Sequence, residues 1–492
     1  MRLSKLVDCI HATVEYNGKE WEREISALSF DSRQINGDTL FFCLKGGCVD
    51  GSLFAKSAIA AGAVALVTEK KLDVCVPQLL VKDARKALAI ASGVFFGNPS
   101  ENVKIIGVTG TNGKTTTTYM LASVLQAAGK NVGIIGTLGV RYNGQEYASE
   151  LTTPDPIFLQ KTLADMFIHG VEYVVMEVSA HALYYKKTAG VRFVACIFTN
   201  LTQDHLDFFP DMRTYESVKR ELFSAKNAPI AILNGDDETG RKWGKEREEQ
   251  ERLTTVYYGL STPSDAFAVI TDETLYGTEC LLNINDNICR VSLSMTGRHN
   301  VYNALGAAAC ALFLGVDTGS IAKGLSLLPH VRGRLQKTAS YHGAEIFVDF
   351  AHTPDGLEKS LSALKTHCKG RLVCLFGCGG NRDKSKRPIM GETVAKQCDF
   401  AVLTSDNPRY EDPLDIIGAI EKGYRRFSMK YVVVPDRERA IDYALDYIKQ
   451  GDVLLVAGKG GETYQEIMGI KYHFDDQDII AEILKNKGEE RC

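Results

Sequence analysis

A glycine-rich stretch at residues 107–118 constrains the fold of this chain more than any other feature. It reads Gly-Val-Thr-Gly-Thr-Asn-Gly-Lys-Thr-Thr-Thr-Thr. A short apolar run precedes it at residues 103–106, and a helical pattern follows at residues 119–125. A strand, a glycine-rich turn and a helix in this order aim backbone N–H groups at a phosphate chain seated on the helix N-terminus. The stretch therefore predicts an ATP or GTP site.

Two residues of this loop have roles that follow from their chemistry. Lys114 would bring a mobile positive charge to the outer phosphates, and Thr115 would offer a hydroxyl to Mg²⁺. The match to the general P-loop departs at Val108, which stands where the first glycine is usual. A plain turn with an exposed lysine is the alternative, but it leaves the three glycines in this setting unexplained.

Composition narrows the class of protein. A chain of 492 residues is too long for one ordinary core and indicates two to four domains. Lys and Arg number 57 against 61 Asp and Glu, so no basic surplus points to nucleic acid or to a membrane surface. The start lacks a signal-peptide pattern and no apolar run reaches the roughly 18 residues of a membrane span, so we expect a cytoplasmic protein. The 13 scattered cysteines are typical of reduced thiols rather than of zinc or disulfides.

Three segments of alternating strand and helix patterns predict an α/β protein of three domains, at residues 1–102, 103–333 and 334–492. Uninterrupted apolar runs are typical of parallel strands that are buried on both faces. The predicted strands lie at residues 39–44, 63–67, 171–178, 193–198, 345–349, 371–376, 400–404 and 452–457. A helix is predicted over residues 84–96, and the Asn-Pro-Ser sequence that follows it serves as a linker.

Polar residues follow two predicted strands of the second segment. Glu177 ends one strand, and His205 lies in the polar stretch at residues 199–207 after the next. Open α/β sheets bind ligands at the C-terminal ends of their strands, so these side chains beside Thr115 predict a Mg²⁺ site. A loop histidine that is hydrogen-bonded to backbone is the alternative for His205.

Lys219 lies in a helical stretch at residues 215–223. The common interpretation of such a residue is a solvated lysine on a helix surface. A free ammonium cannot ligate a cation, whereas a carbamate formed with CO₂ would be an oxygen ligand of the kind that Mg²⁺ prefers. The spacing alone does not indicate a carbamate.

Taken together, the motifs resemble the Mur ligases, the ATP-dependent amide-forming enzymes of bacterial cell-wall precursor synthesis. The similar stretches include residues 109–115, 176–181, 200–207, 297–303 and 348–355, with Ala180 and His299 as departures. Lys219 falls where the family carries a carbamylated lysine. The resemblance implies an N-terminal α/β UDP-substrate domain, a central P-loop ATPase domain with a parallel sheet, and a Rossmann-like C-terminal domain that binds the amino acid.

The resemblance also implies roles for individual residues. The catalytic residues would be Lys114, Lys219, His205 and Glu177. Mg²⁺ would be bound by Thr115, Glu177, His205 and Lys219 as its carbamate. ATP would be bound by Gly110, Thr111, Asn112, Gly113, Lys114, Thr115, Thr116, Asn300, Arg334, Asp349 and His352.

Within the family, the chain is most similar to members that add the third peptide residue to UDP-N-acetylmuramoyl-L-alanyl-D-glutamate. This substrate would be bound by Ser29, Asp31, Ser32, Arg33, Thr152, Thr153, Ser179 and Lys187. Residues 406–409 resemble the form of the motif found in members that select meso-diaminopimelate, whose second carboxylate an arginine can clamp. This amino acid would be bound by Arg382, Asp406, Asn407, Pro408, Arg409, Gly458 and Glu462. Gly461, Arg332 and Lys187 depart from the family pattern.

The implied reaction phosphorylates the D-glutamyl side-chain carboxylate with ATP and couples the acyl phosphate to an amine of diaminopimelate. Such an enzyme serves peptidoglycan synthesis, and with it cell shape and division. It would be a cytoplasmic monomer with small-molecule substrates, and without nucleic-acid or integral-membrane partners. Use of L-lysine is one alternative. Folylpolyglutamate synthetase is another, although it lacks a comparable UDP-binding domain, and a P-loop regulator or motor would not explain the arginines and Glu462 of the third segment.

Overall fold

The computed structural model describes residues 1–15, 23–47, 49–250, 253–261 and 263–489. The helices are α1 (Leu3–Cys9), α2 (Ala55–Ala60), α3 (Ala84–Phe95), α4 (Lys114–Ala127), α5 (Pro156–Ile168), α6 (Ala180–Tyr184), α7 (Met212–Arg220), α8 (Glu238–Gln250), α9 (Arg298–Phe313), α10 (Thr318–Leu327), α11 (Pro354–His367), α12 (Lys386–Gln397), α13 (Pro413–Tyr424), α14 (Arg437–Tyr447) and α15 (Asp476–Glu489).

The strands of the first half of the chain are β1 (Thr13–Glu15), β2 (Ala27–Ser29), β3 (Thr39–Phe42), β4 (Ala63–Thr68), β5 (Gln78–Leu80), β6 (Lys104–Thr109), β7 (Val132–Gly136), β8 (Gly139–Tyr142), β9 (Gln145–Tyr147), β10 (Tyr173–Glu177), β11 (Phe193–Phe198) and β12 (Ile230–Asn234). Those that follow are β13 (Thr254–Gly259), β14 (Ala266–Thr274), β15 (Gly277–Ile284), β16 (Asn287–Leu293), β17 (Gln336–Tyr341), β18 (Ala344–Asp349), β19 (Leu372–Phe376), β20 (Phe400–Leu403), β21 (Tyr431–Val433), β22 (Val453–Ala457), β23 (Tyr464–Ile467) and β24 (Ile470–His473).

The chain forms two compact units. The first contains residues 1–107, 131–195 and 221–229, and the second contains residues 108–130, 196–220 and 230–492. The predicted domain boundaries after residues 102 and 333 stay predictions.

The first unit contains a five-stranded sheet with the order β1-β5-β4-β3-β2, in which only β1 pairs antiparallel. Helix α3 packs on this sheet because its small apolar residues recur at helical spacing: Ala84, Ala87, Leu88 and Ala91 are all buried. The helix begins where the Asp83 side chain accepts a hydrogen bond from the backbone N–H of Lys86. In the same unit β7 pairs parallel with β10, so β10 brings Glu177 to the C-terminal end of a sheet.

The second unit contains the six-stranded sheet β17-β18-β22-β19-β20-β21, which is parallel except for β17. Its inner strands β18, β22, β19 and β20 are almost entirely buried, on both faces. Along β22, Leu455 and Ala457 face the core under α11, α12 and α13, while Leu454 and Val456 face α14 and α15. This alternation explains why uninterrupted apolar runs form strands here, since successive side chains enter opposite cores.

The predicted fold class is confirmed, because the strands expected from apolar runs are present with shifts of one or two residues at their ends. The predicted helix at residues 215–223 is α7, which begins earlier at Met212 and ends at Arg220, where a 3₁₀ turn takes over. Cys310 and Cys374 are buried free thiols, as expected. Among the described residues, no helix has both the length and the apolar character needed to cross a bilayer.

Candidate active site

The glycine-rich loop of the second unit connects β6 to α4, as predicted, and its shape depends on two glycines. Gly110 and Gly113 have positive φ angles of +150° and +86°. A Cβ on Gly113 would lie 2.4 Å from the side-chain oxygen of Asn303, and one on Gly110 would lie 1.9 Å from the Thr199 hydroxyl. Both positions therefore require glycine for space as well as for conformation.

The loop is braced by residues 199–202, which follow β11. The backbone N–H of Thr111 donates to the carbonyl of Asn200 at 2.8 Å, and that of Asn112 donates to the Asn200 side chain at 3.0 Å. The Thr111 hydroxyl donates to the carbonyl of Thr202 at 3.1 Å. Part of the polar stretch that contains His205 thus holds the phosphate loop in shape.

Two lysine ammonium groups converge on this loop. Lys114 Nζ donates to the carbonyl oxygens of Gly110 and Thr111 at 3.0 and 2.8 Å. Lys219 Nζ donates to the same Gly110 oxygen at 2.9 Å. The structure therefore brings together two residues that are more than a hundred positions apart and that were predicted to be catalytic.

Lys219 is not a solvated surface lysine. Its side chain is buried, with 1% of the residue exposed, and its ammonium lies 4.7 Å from the centre of the Tyr215 ring. Burial, and then the neighbouring charge of Lys114, lower the pKa of Lys219 well below its ordinary value. A neutral amine is the form that can attack CO₂, so the surroundings favour the chemistry that a carbamate requires.

The start of helix α4 contacts residues from distant parts of the second unit. Arg334 Nη2 donates to the Thr115 hydroxyl at 2.8 Å, and its guanidinium lies 4.2 Å from the centre of the Phe350 ring. Asn112 Nδ2 donates to Asp355 Oδ2 at 2.8 Å. Helix α4 also packs against α9, where buried Asn300 accepts a hydrogen bond from Asn303 at 3.2 Å. The structure thus places four predicted ATP-binding residues, Asn112, Thr115, Asn300 and Arg334, in this region.

Asp349 ends β18 and His352 follows three residues later, and both have polar partners. The Asp349 carboxylate accepts hydrogen bonds from the backbone N–H groups of Leu335 and Ala351 and from the Ser360 hydroxyl. These bonds order the turn that leads into α11, which begins at the N-cap Thr353. The His352 ring makes a 2.7 Å hydrogen bond to the Phe350 carbonyl.

Asp204 is the centre of a buried polar cluster that the sequence did not single out. Its carboxylate lies 3.3 Å from Lys386 Nζ, 3.3 Å from His205 Nε2 and 3.8 Å from His352 Nε2. Burial alone would raise the pKa of Asp204, but the neighbouring His352 imidazole and the charge of Lys386 outweigh it and hold that pKa well below its ordinary value. Asp204 is therefore an anion that orients three cationic or imidazole groups beside the phosphate loop.

The predicted site residues of the first unit, which are the substrate residues and the predicted Mg²⁺ ligand Glu177, form two local groups. Glu177 accepts hydrogen bonds from the backbone N–H and the hydroxyl of Thr137 at 2.8 and 3.1 Å. The Thr137 hydroxyl lies 3.1 Å from that of Thr152.

Thr153 donates to the Glu177 carbonyl at 2.9 Å and accepts from the Ser179 backbone N–H at 3.0 Å. Lys187 donates to the Thr153 carbonyl at 3.1 Å, and burial lowers its pKa.

The other group is the turn after β2. The Ser29 hydroxyl donates to the Asp31 carbonyl at 2.9 Å, and Arg33 pairs with the Asp31 carboxylate at 2.7 Å. The hydrogen bonds from Arg33 lower the pKa of Asp31 to about 2. Ser32 begins the short 3₁₀ helix that this pairing closes. The Arg33 side chain is exposed and offers donors to solvent.

The predicted amino-acid residues other than Arg382 follow β20 or β22 in the chain. Buried Asn407 donates to Glu462 Oε2 at 2.9 Å and accepts from Lys459 Nζ at 3.2 Å. A Cβ on Gly458, whose φ is +116°, would lie 2.5 Å from Asp406 Oδ2. Burial, and then the negative charge of Asp406, raise the pKa of Glu462. Pro408 precedes Arg409, while Arg382 lies on an exposed turn after β19.

Arg409, the arginine predicted to clamp the second carboxylate of the substrate, already has partners within the protein. Its Nε donates to Glu466 Oε2 at 3.0 Å, and its Nη1 donates to the Gly380 carbonyl at 2.9 Å. The guanidinium is therefore held by the protein itself. Of the departures from the family pattern, Arg332 pairs with buried Asp475.

The sequence analysis missed Asp204, Lys386, Lys459 and Glu466 as members of this region. Asp204 had a usable signal, since it lies within the stretch that supplied His205. Lys386 and Glu466 had none, because their partners lie 182 and 57 residues away in the chain.

Comparisons with known proteins find similar domains along the chain. Residues 24–96 match the catalytic domain of the Mur ligase family, residues 108–311 match the Mur ligase middle domain, and residues 333–460 match the Mur ligase glutamate ligase domain. A relative from Clostridium acetobutylicum, named UDP-N-acetylmuramoyl-L-alanyl-D-glutamate--2,6-diaminopimelate ligase 1, is 42% identical over 470 residues, which cover 94% of this chain and 95% of the relative. A Geobacillus kaustophilus relative with that name, without the numeral, is 40% identical over 472 residues, covering 94% and 96%.

A solved structure is also similar to this chain along its length. The structure of a UDP-N-acetylmuramoyl-L-alanyl-D-glutamate--2,6-diaminopimelate ligase superimposes with a TM-score of 0.70 and 28% sequence identity, and the match covers 99% of each chain.

Proposed function

Because the chain belongs to the Mur ligase family of ATP-dependent peptide-forming ligases, we propose that it adds meso-diaminopimelate to UDP-N-acetylmuramoyl-L-alanyl-D-glutamate. The bond would join an amine of diaminopimelate to the side-chain carboxylate of the D-glutamyl residue. The observation that carries the proposal is 40–42% identity, over nearly the full chain, to relatives named for this reaction. Such an enzyme would act in the cytoplasm, where its nucleotide-linked substrate is made.

The phosphate loop supports ATP as the phosphoryl donor. Helix α4 is 14 residues long and begins at Lys114, directly after the positive-φ glycine Gly113. Backbone N–H groups at such a terminus favour the negative charge of a triphosphate. Lys114 can leave its loop carbonyls and contact the outer phosphates, since its side chain is long and flexible.

The side chains of Thr115 and His205 fit a Mg²⁺ site if Lys219 carries a carbamate. Among the described residues, no three His, Cys, Asp or Glu side chains form a metal-binding group, so a site here needs other donors. A Thr115 hydroxyl, the His205 imidazole and a carbamate on buried Lys219 would supply them. Glu177 as a further ligand stays a prediction from the sequence. Bound Mg²⁺ would spread the charge of the transferred phosphoryl group.

The reaction has two steps, phosphorylation of the carboxylate and attack of the amine. The D-glutamyl carboxylate attacks the γ-phosphorus of ATP, ADP leaves, and an acyl phosphate forms. An amine of diaminopimelate then attacks the acyl carbon, loses a proton and displaces phosphate, which leaves an amide. Lys114 would stabilise the charge that develops on the transferred oxygens, because preorganised cations act most strongly in the transition state.

The amino-acid region supports a substrate with two charged ends. Arg409 is a cation suited to a second carboxylate, and Glu462 is an anion suited to an ammonium group. L-Lysine has the ammonium but lacks the carboxylate. Because Glu466 already pairs with Arg409, lysine would not leave the guanidinium wholly unpaired, so we expect a preference for diaminopimelate near the lower end of a 2–4 kcal/mol range, about 30-fold.

An amino-acid panel tests the proposal together with Arg409. We expect kcat/KM for meso-diaminopimelate to exceed that for L-lysine and L-ornithine by about 30-fold or more. Arg409→Ala should lower the value for diaminopimelate by at least about 10-fold and change the lysine value less than threefold, since only diaminopimelate has the carboxylate that the guanidinium would clamp.

The matched control is Arg426→Ala, because Arg426 is an exposed arginine that pairs with Glu392 away from these residues. This variant should keep the full preference. Equal kcat/KM for lysine and diaminopimelate in the unmodified enzyme would exclude the proposed amino acid and leave the ligase chemistry intact.

A further inference from the structure

Glu466, on the hairpin of β23 and β24, is the direct partner of the arginine that would recognise the amino acid. Its Oε2 accepts a hydrogen bond from Arg409 Nε at 3.0 Å. The two side chains are only 15% and 22% exposed, so solvent screens this pair less than a surface ion pair.

The backbone of the hairpin also holds Arg409. The Arg409 N–H donates to the Glu466 carbonyl at 3.0 Å, and the Arg409 carbonyl accepts from the Met468 N–H at 2.8 Å. Arg409 has a φ of +53°, a conformation that residues with a Cβ rarely adopt. Paired strand-like hydrogen bonds on both sides explain how the residue is kept in it.

The same hairpin fixes the rest of the segment. The Glu466 N–H donates to the Asn407 side-chain oxygen at 2.9 Å, and Gln465 Nε2 donates to the Asp406 carbonyl at 2.7 Å. The segment at residues 406–409 is therefore anchored to β23 along its length.

The hydrogen bonds of Arg409 define which of its donors remain for a ligand. Nε is taken by Glu466, and Nη1 gives one N–H to Gly380. Within the part of the chain that the structure describes, Nη2 has no partner. One N–H of Nη1 and both of Nη2 are thus available at the outer edge of the guanidinium, where a carboxylate can bind in a bidentate manner.

We infer that Glu466 is a positioning residue for amino-acid specificity, which orients the Arg409 guanidinium so that its terminal N–H groups face the distal carboxylate of the substrate. This inference rests on the proposed function, because it assumes that Arg409 binds that carboxylate. Glu466 acts through Arg409 and touches no reacting atom. Its oxygen, rather than its charge, is the essential feature, since an amide oxygen in the same place can also accept the Nε–H.

Three variants test this role in the full-length enzyme with meso-diaminopimelate. Glu466→Ala should raise KM for diaminopimelate by about 10-fold or more, with kcat and the KM for ATP within threefold of the unmodified enzyme. Glu466→Gln should restore KM to within threefold. In an Arg409→Ala background, Glu466→Ala should add less than twofold, because the residue it positions is gone.

Lys471→Ala is the matched control. Lys471 lies opposite Glu466 in the hairpin register, and its ammonium lies 4.6 Å from the centre of the Tyr464 ring. This variant should leave KM for diaminopimelate unchanged if the hairpin itself is intact.

Two results would overturn the inference. One is a Glu466→Ala enzyme with an unchanged KM for diaminopimelate, and the other is an equal loss on Glu466→Ala in the presence and absence of Arg409. If the proposed function were wrong, the unmodified enzyme would not incorporate diaminopimelate at all. This result differs from both outcomes that would overturn the role of Glu466.

Discussion

Lys219→Ala should lower kcat by about 100-fold or more, and added formate or acetate should restore part of the activity. The reason is the position of the side chain, which is buried beside the phosphate loop and donates to the Gly110 carbonyl. If the amine nitrogen attacks CO₂ and loses a proton, the resulting carbamate offers oxygen atoms to Mg²⁺. Helix α7 has no buried acidic side chain that could offer them instead, since its buried residues are Tyr215 and Lys219. A short carboxylic acid can fill the gap left by alanine with the same kind of oxygen.

Further variants separate the carbamate from a structural role. Lys219→Arg keeps a positive charge but cannot form the carbamate, so it should be as inactive as Lys219→Ala. Lys219→Glu should keep more activity, because it returns a carboxylate at a shorter reach. Lys245, an exposed lysine of α8, supplies the control, and its alanine variant should be fully active. Normal phosphate release by Lys219→Ala would show that the buried lysine has only a packing role.

Lys114→Ala should also reduce kcat by about 100-fold or more, with a smaller change in KM for ATP. The Lys114 charge would act mainly on the transferred phosphoryl group, whose negative charge spreads in the transition state. Steady-state phosphate release at saturating ATP measures this loss. Near-normal turnover would contradict the assignment of residues 107–118 as the phosphate loop.

The charge of Lys114 should also affect how much of Lys219 is carbamylated. The Lys114 charge contributes to the lowered pKa of Lys219, after burial. Removing it moves that pKa upward, so at a given pH less of the Lys219 amine is neutral and less carbamate forms. A ¹³C NMR titration with labelled bicarbonate should therefore show lower carbamate occupancy in Lys114→Ala than in the unmodified enzyme, with the difference shrinking as pH rises.

Much of the fold could be predicted because its strands carry a strong local signal. The runs that became β11, β19 and β22 are apolar throughout, and the structure buries both of their faces. The glycine-rich loop could be predicted equally well, since its glycines, lysine and threonine occupy fixed positions between a strand and a helix.

The polar partners could not be predicted, for a physical reason. Whether Lys219 is solvated or buried depends on what packs against its helix, and the helical pattern of residues 215–223 fits both outcomes. Arg409 could be named as a ligand residue from its motif, but its pairing with Glu466 depends on where a hairpin 57 residues later folds. The Asp204 cluster likewise joins residues whose neighbourhood only the tertiary fold determines.

The most direct test of the central claim is an omission assay on the purified enzyme. With ATP, Mg²⁺, UDP-N-acetylmuramoyl-L-alanyl-D-glutamate and meso-diaminopimelate all present, we expect one phosphate per amide formed. Mass spectrometry should then find the nucleotide substrate enlarged by one diaminopimelate less one water. Leaving out either the nucleotide substrate or the amino acid should abolish sustained phosphate release. Phosphate release that continues at the same rate without them, and with no new amide, would contradict the assignment of this chain as the diaminopimelate-adding ligase.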